Sequence, residues 1–122
     1  MTTFTEGLHD GGFLISEANG TRSRKQITLE ATGGAVVAGT VLGQIAANSK
    51  YIPLDPADTQ GADAAAGILF ETVDATADVV TVAIVRDAEV NNAELTWPDD
   101  NSSAEANGIE ALAALGIVCL NV

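Results

Sequence analysis

Two apolar runs close together in the middle of the chain, residues 67–70 and 79–85, constrain the fold more than any other feature. The second run is rich in β-branched residues, which fit the pleated surface of a sheet and lose side-chain freedom in a helix. An acidic link of small residues, 71–78, joins the two runs. The pattern therefore predicts a pair of buried strands, with Trp97 and Pro98 closing the segment.

Shorter signals around these runs predict additional strands separated by turns. Residues 26–30 alternate polar and apolar side chains, which is the pattern of a half-buried strand. Further short strands are predicted at 36–37, 41–42, 51–52 and 117–122, with a turn at 33–34, a tight bend at 38–40 and a loop at 54–63. About six short strands, joined by short connections rich in glycine, favour a small, mostly β roll or barrel over a layered α/β fold.

Helix signals replace strand signals near the C-terminus. Ser102 and Glu105 fit a capping box, and Gly116 is suited to follow the last helical residue. One apolar face at helical spacing is formed by Ile109, Leu112, Ala113 and Leu115. We therefore predict a helix near 103–115. Because Gly108 costs about 1 kcal/mol relative to alanine inside a helix, this helix depends on tertiary packing.

Charge and hydropathy limit the partners of the chain. It carries 17 acidic and five basic residues, a net charge of −12, so it repels phosphate backbones and no direct binding to nucleic acid is expected. No apolar run reaches the ~20 residues of a membrane helix, and the N-terminus lacks the pattern of a signal peptide. We expect a soluble single domain that is made in the cytoplasm and has no membrane partner. Three of the bases, Arg22, Arg24 and Lys25, are expected to meet carboxylates of this subunit or of a partner.

The N-terminal 25 residues are predicted to form an arm, and residues 26–122 the β-rich domain. Glycines punctuate the arm, and polar residues dominate it. It is nevertheless too apolar for a solvated tail, because it contains Phe4, Leu8, Phe13, Leu14 and Ile15. The arm therefore either packs on its own domain or docks on another chain, where an extended segment can add a strand to the edge of a sheet.

The residues that carry chemistry form no recognisable catalytic set. His9 is the only histidine and has no matched nucleophile nearby. Asp55, Asp58 and Asp63 share one loop, but their spacing differs from that of a calcium loop. Cys119, the only cysteine, is expected to act as a small buried hydrophobe. We therefore predict no catalytic residue, no metal site and no cofactor.

Two alternative functions from other classes remain open. Asp87 and Glu89 follow the central strand and would suit a small acidic hydrolase if a cleft held both carboxylates. Residues 34–43 resemble the strand-turn-strand of biotinyl and lipoyl carrier domains, in which a lysine at a hairpin tip is modified. The corresponding candidate is Lys50, whose neighbours Ser49 and Tyr51 do not match the residues that flank a carrier lysine.

Six short segments, in order along the chain, resemble one known family. They are FLISEA at 13–18, SR at 23–24, AGTVLG at 38–43, AGIL at 66–69, VRDAEV at 85–90 and LTWP at 95–98. Together with the short helix that follows, they are similar to the head decoration proteins of tailed bacteriophages, the family that includes the lambda head decoration protein. The resemblance runs from about Phe13 to the C-terminus.

The resemblance implies a structural protein of the virion rather than an enzyme. Members of this family form homotrimers on the outer surface of the mature, expanded capsid at its local three-fold axes. There they cement neighbouring major capsid proteins against the pressure of packaged DNA. The implied fold is β-clip-like with little helix. The implied capsid-binding arm falls on residues 2–15, and its expected contacts are Thr2, Phe4, Leu8, Phe13, Leu14 and Ile15.

Trp97 and Pro98 are the candidate trimer contact. Tryptophan is enriched among the residues that anchor protein interfaces, and the apolar content of the chain consists largely of small residues that symmetry-related copies are suited to complete. The alternative is that Trp97 is an ordinary core residue. The sequence therefore predicts a non-enzymatic capsid decoration protein, with an anchoring arm and a subunit contact near residue 97.

Overall fold

The computed structural model describes residues 12–17, 23–98 and 102–120. In chain order its elements are β1 (Leu14–Glu17), β2 (Arg24–Leu29), β3 (Ala35–Val36), β4 (Val41–Gln44), β5 (Tyr51–Pro53), β6 (Ala65–Leu69), β7 (Val73–Asp74), β8 (Val79–Ile84), β9 (Ala88–Asn91), a 3-10 turn (Asn92–Glu94), α1 (Ser102–Ala114) and β10 (Ile117–Leu120). The predicted mostly β fold with a short helix near the C-terminus is confirmed.

Five strands close into a barrel in the order β2, β5, β4, β6 and β8. The buried strand pair predicted from the two apolar runs forms part of its wall. Strand β6 lies antiparallel to β8, with Ile68 opposite Ile84 and Leu69 opposite Ala83. The prediction of paired strands is confirmed, and the strand at 79–85 is a core strand at its C-terminal end, where Ala83 and Ile84 are fully buried.

The acidic link between the two runs contains a strand that the sequence analysis missed. Val73 in β7 lies opposite Val36 in β3, and the two strands form a separate antiparallel pair. The side-chain oxygen of Thr72 accepts a hydrogen bond from the backbone N–H of Ala38 at 2.9 Å. A two-residue strand is too short to show alternation in the sequence, so this pairing is decided by the fold.

The bend at 38–40 is confirmed as a sharp reversal between β3 and β4. Gly39 has a φ of +88°, a left-handed conformation that glycine adopts without a steric cost. Its N–H donates to the carbonyl of Leu69 at 2.8 Å, and its carbonyl accepts from the N–H of Thr96 at 2.9 Å. The bend therefore ties β4 both to β6 and to the segment that leads to Trp97.

The barrel wall is buried on both faces along β6 and at the C-terminal end of β8, which explains the continuous apolar runs there, whereas β2 is exposed at its start and Val80 of β8 is 60% exposed. Ile68 and Ile84 face a core cluster shared with α1 and with the sheet outside the barrel, whereas Leu69 and Ala83 face the barrel interior. Successive side chains of a strand point to opposite faces. Residues that alternate between two cores are therefore all apolar, as in strands covered on both sides.

The helix α1 is present within one residue of the predicted start and end, but its buried face differs from the prediction. Leu112 is fully buried and Gly108 is also buried, whereas Ala113 and Leu115 are exposed. The face of α1 that meets the domain carries Gly108, Ala111 and Leu112, so the buried face is rotated away from Ala113 and Leu115. Gly116 follows the helix with a φ of +84°, as predicted for a C′ glycine.

A three-stranded sheet outside the barrel, in the order β1, β9, β10, completes the fold. Strand β10 runs parallel to β9 from Ile117 to Leu120, which confirms the predicted last strand. Ile117 is fully buried in the core cluster that α1 also covers. Within the described part of the chain, no helix is both long enough and apolar enough to cross a membrane.

Candidate functional site

The predicted arm enters the domain at β1, an edge strand of the outer sheet. β1 pairs antiparallel with β9, with Leu14 opposite Val90 and Glu17 opposite Ala88. The N–H of Asn91 donates to the carbonyl of Phe13 at 2.8 Å. Residues 13–17 are therefore held by the sheet of their own subunit. The predicted arm contacts Thr2, Phe4 and Leu8 lie outside the described residues.

The three described side chains of the predicted arm have different environments. Phe13 is 0% exposed and is part of the core cluster below α1, Leu14 is half-buried against that cluster, and Ile15 is 45% exposed. The sequence left open whether the arm packs on its own domain or docks on another chain. Phe13 packs on its own domain, because its side chain lies inside the core cluster. Ile15 is the described arm residue that leaves apolar surface available.

Arg24 joins the base of the arm to the barrel. Its guanidinium makes a two-pronged contact with Glu17, with Nη2 to Oε1 at 2.5 Å and Nε to Oε2 at 3.2 Å. It also lies over the ring of Phe70, 4.2 Å from the ring centre. A planar guanidinium suits both contacts. The expectation that the basic cluster meets carboxylates is confirmed for Arg24 within its own subunit, and Arg22 lies outside the described residues.

Trp97 packs against the backbone of α1 within its own subunit. A Cβ atom at Gly108 would lie 2.2 Å from Cζ3 of the indole, so only glycine fits at this position. The indole Nε1–H donates to Oδ1 of Asn92 at 3.1 Å, and Nδ2 of Asn92 donates to Oε1 of Glu105 at 2.9 Å. Glu105, which the sequence placed in a capping box, thus accepts a hydrogen bond from the residue that holds the indole of Trp97. The indole is half-buried and packs against the core cluster.

Pro98 lies beside Trp97 at a small cavity of about 90 Å³. Thr40, Leu54 and Thr96 also line it. Pro98 and Trp97 are both half-buried, so each leaves part of its surface to solvent. One side of Trp97, in the predicted trimer contact, therefore packs on α1 of its own subunit. The other side is exposed to solvent and could be covered by a second subunit.

Carboxylates of the acidic loop at 54–63 accept hydrogen bonds from backbone N–H groups of the same loop. Oδ1 of Asp55 accepts from the N–H of Ala57 at 3.0 Å, and Oδ2 of Asp58 accepts from the N–H groups of Gln60 and Ala62, both at 2.8 Å. These carboxylates stabilise turns, as short acidic side chains do. Among the residues that the structure describes, no group of three or more possible metal ligands comes together, Asp63 included. His9 lies outside those residues.

Asp87 and Glu89 have separate environments. Asp87 is half-buried, has a left-handed φ of +49° and contacts Gly116, where an added Cβ would lie 2.6 Å from Oδ1 of Asp87. Glu89 is exposed on β9. Neither carboxylate lines the cavity beside Pro98 or the cavity at the barrel end described below. The geometry therefore shows a turn residue and a surface residue, and the hydrolase hypothesis has no supporting cleft in either place.

Lys50 makes an ion pair across one end of the barrel. Its Nζ lies 2.7 Å from Oδ2 of Asp78, whose Oδ1 accepts from the N–H of Ala31 at 2.8 Å. The hydrogen bond and the charge of Asp78 raise the pKa of Lys50, and the hydrogen bonds from Lys50 and Ala31 lower the pKa of Asp78. A carrier lysine must be free to take an acyl group, so this pairing gives the carrier hypothesis no support.

Replacing Asp78 by asparagine is expected to reduce the loss of stability on acidification. The ordinary pKa of aspartate is about 3.9, and that of Asp78 is lowered in the folded state. Its contribution to the free energy of unfolding is therefore fully present above about pH 4 and is lost as the pH falls through the lowered pKa. Urea unfolding at about pH 7 and about pH 2.5 should show a wild-type advantage at the higher pH that narrows at the lower one.

The control for this measurement is Asp63→Asn, which removes an exposed carboxylate of the acidic loop. It changes the net charge equally without touching the contact between Lys50 and Asp78. An advantage of equal size at both pH values would show that the charge of Asp78 contributes nothing to stability.

A larger cavity of about 460 Å³ lies where one end of the barrel meets α1, and we call it the barrel-mouth cavity. Residues at or next to an end of each barrel strand line it, together with the exposed Leu115 that follows the helix. Lys25 and Arg86 are its charged residues. Tyr51 and Gln44 add polar groups, and burial raises the pKa of the Tyr51 hydroxyl. None of the described residues that line it is acidic.

The closed barrel, with a flanking helix and outer sheet, places this protein in the class of small, mostly β domains with a β-clip-like fold. The comparisons with known proteins agree with this class. The chain belongs to the family of bacteriophage lambda head decoration protein D, whose family model matches residues 3–117. A search of curated proteins gives no match. The family is one of structural phage capsid proteins, which associates this chain with the head of a virion.

Some residues of the site were missed by the sequence analysis. Glu17 and Asn92 carry no local signal. Each matters only as the hydrogen-bond partner of a residue outside its own element, Arg24 for Glu17 and Trp97 for Asn92. Gly108 did carry a signal: a glycine inside an otherwise sound helix indicates close approach of another group. The barrel-mouth cavity has no local pattern, since it is assembled from the ends of five strands.

Proposed function

We propose that this protein is a cement of the phage head. It binds as a homotrimer to the outer surface of the capsid at local three-fold axes and holds neighbouring major capsid proteins together against the pressure of packaged DNA. The observation that carries the proposal is the match of the decoration-protein family over residues 3–117, nearly the whole chain. The fold agrees with this role, because a cementing protein needs a rigid body and binding surfaces.

In this proposal the N-terminal arm is the capsid anchor. Thr2, Phe4 and Leu8 contact the capsid, and the extended chain adds a strand to a sheet of the major capsid protein. The buried side chain of Phe13 and the pairing of β1 with β9 support the proposal, because they fix the point from which the anchor starts. Three arms on one trimer act together, so weak individual contacts become strong by avidity.

We place the trimer contact at Trp97 and Pro98. The support is that both residues are half-buried within the subunit and lie side by side at a shallow cavity. The inner side of the indole is held by Gly108 and Asn92. A large aromatic group that is already fixed in orientation loses little conformational freedom when a second subunit covers it, which favours its use as an anchor.

Deleting residues 2–11 is expected to abolish capsid binding and leave the domain folded. The deletion stops short of Phe13, because removal of that side chain would damage the core and confuse the result. Co-sedimentation with empty expanded capsids should show an apparent affinity lower by at least about a hundredfold, since three linked anchors are lost at once. Light scattering on the same variant checks that it still assembles.

A matched pair of variants separates the side chains of the arm from its length. Phe4→Ser with Leu8→Ser removes the apolar contacts, whereas Thr3→Ser with Thr5→Ser changes neighbouring polar positions and serves as the control. We expect the first pair to bind capsids weakly and the second to bind normally. Undiminished binding of the deletion variant, still folded and trimeric, would contradict the anchoring role.

A further inference from the structure

The four bases that the structure describes fall into two groups. Arg24 and Lys50 each form an ion pair within the subunit. Lys25 and Arg86 form no ion pair with any described residue, and both line the barrel-mouth cavity. The unpaired positive charges of the described chain are therefore concentrated at one concave surface.

The surroundings of these two bases are unusual for so acidic a protein. The sequence has 17 acidic residues among 122, yet no described residue that lines the cavity is acidic. Apolar groups lie beside the bases, among them Val85 and the exposed Leu115. A concave surface with walls of low dielectric focuses the field of its charges. The cavity is therefore suited to an anionic group carried on a partly apolar segment.

We propose that the barrel-mouth cavity receives a carboxylate-bearing segment from a second copy of this chain. Lys25 and Arg86 bind the carboxylates, and the apolar wall packs against the rest of the segment. The inference rests on the proposed function, because it assigns a contact within the proposed trimer. It adds a second contact, distinct from the one placed at Trp97 and Pro98.

Charge complementarity selects the second copy as the occupant. Each copy has a net charge of −12, so its surface is rich in carboxylates and the assembly of three copies is opposed by repulsion. A three-fold assembly uses heterologous contacts, in which one patch of each subunit meets a different patch of the next. A positive cavity that meets a negative segment satisfies that geometry and offsets part of the repulsion at each interface.

The first test measures assembly of the full chain. The variant Lys25→Gln with Arg86→Gln lowers the net charge by two, and Gln60→Glu with Ala77→Glu makes the same change at exposed loop positions away from the cavity. We expect the cavity variant to raise the concentration at which half of the subunits assemble by about tenfold or more, as when one partner of a desolvated charge contact is lost. The loop variant should assemble nearly as the wild type does. Circular dichroism checks that all of them are folded.

The second test identifies the contact directly. Subunits labelled with ¹⁵N and unlabelled subunits are mixed, allowed to exchange, and treated with a water-soluble carbodiimide. The reagent joins an amine to a carboxylate in contact by an amide bond and takes up the lost oxygen as a urea. Cross-linked peptides that contain Lys25 should include mixed-isotope pairs, which arise only between subunits. Lys50, which contacts Asp78 of its own subunit, should give same-isotope pairs and is the internal control.

Each remaining outcome overturns the inference. Wild-type assembly of the Lys25 and Arg86 variant, or only same-isotope pairs at Lys25, would show that no second copy occupies the cavity. Normal assembly with weakened co-sedimentation would assign the cavity to the capsid instead. A wild-type protein that stays monomeric but binds capsids would remove the trimer and this contact together, whereas one that binds no capsids would contradict the decoration function itself.

Discussion

Replacing Phe13 by alanine is expected to lower the free energy of unfolding by about 3–5 kcal/mol, the usual cost of truncating a buried aromatic residue to alanine. Phe13 is fully buried in the cluster that joins the outer sheet, the barrel wall and α1. Val90 and Ile117 of that cluster are also fully buried, so neighbouring side chains have little freedom to move into the cavity that the substitution leaves. Urea unfolding of the isolated protein measures the loss.

The control is Ile15→Ala, two residues after Phe13 in β1 and 45% exposed. A substitution at such a surface position is expected to change stability by no more than about 0.5 kcal/mol. The comparison also separates two roles of the arm. If Phe13 served the capsid contact and not the core, its truncation would leave the isolated protein as stable as the Ile15 variant and would weaken only capsid binding.

Replacing Gly108 by alanine is expected to destabilise the protein by about 1–3 kcal/mol, as overpacking does in a well-packed site. Helix propensity alone predicts the opposite, a gain of about 1 kcal/mol. The added Cβ would lie 2.2 Å from Cζ3 of Trp97 and 2.9 Å from its Cη2. The indole is tied to Asn92 by its Nε1–H and cannot move aside without breaking that hydrogen bond.

A double-mutant cycle tests the cause of this effect. In the background Trp97→Leu, which replaces the obstructing indole by a smaller side chain, Gly108→Ala should cost little or become stabilising. Asn107→Ala is the control, because it changes an exposed neighbour on the same helix and should be close to neutral. Thermal unfolding of the wild type, the two single variants and the double variant gives the coupling free energy. If Gly108→Ala stabilised the protein with Trp97 present, the indole would not lie against α1.

Some of the contacts at the candidate site could be inferred from the sequence, because their signals are local. The basic residue Arg24 was expected to meet a carboxylate, and the half-apolar arm was expected to contact a protein surface. The side that each residue faces could not be inferred. Phe13 and Ile15 are both apolar and lie two residues apart, which in a regular strand would place them on one face. The pairing of β1 with β9 shifts register between Leu14 and Ser16, and Phe13 is core whereas Ile15 is exposed.

The helix illustrates the same limit. Its extent followed from capping and terminating residues, which act on their immediate neighbours. Its buried face did not, because Ala113 and Leu115 continue the apolar spacing but lie exposed, while Gly108 and Leu112 are buried. The buried face of α1 includes Gly108 because the indole of Trp97 packs there, at a position where α1 has no side chain.

By itself, the amino-acid sequence determined the β-rich class, the existence of the central strand pair, the bend at Gly39 and the late helix. It did so because hydrophobic period and backbone preference are properties of neighbouring residues. Closure of five strands into a barrel, the pairing of β3 with β7 and the cavity at the barrel mouth were decided only by tertiary structure. These features join residues far apart along the chain, so the interactions that stabilise them cannot be read from any short segment of the sequence.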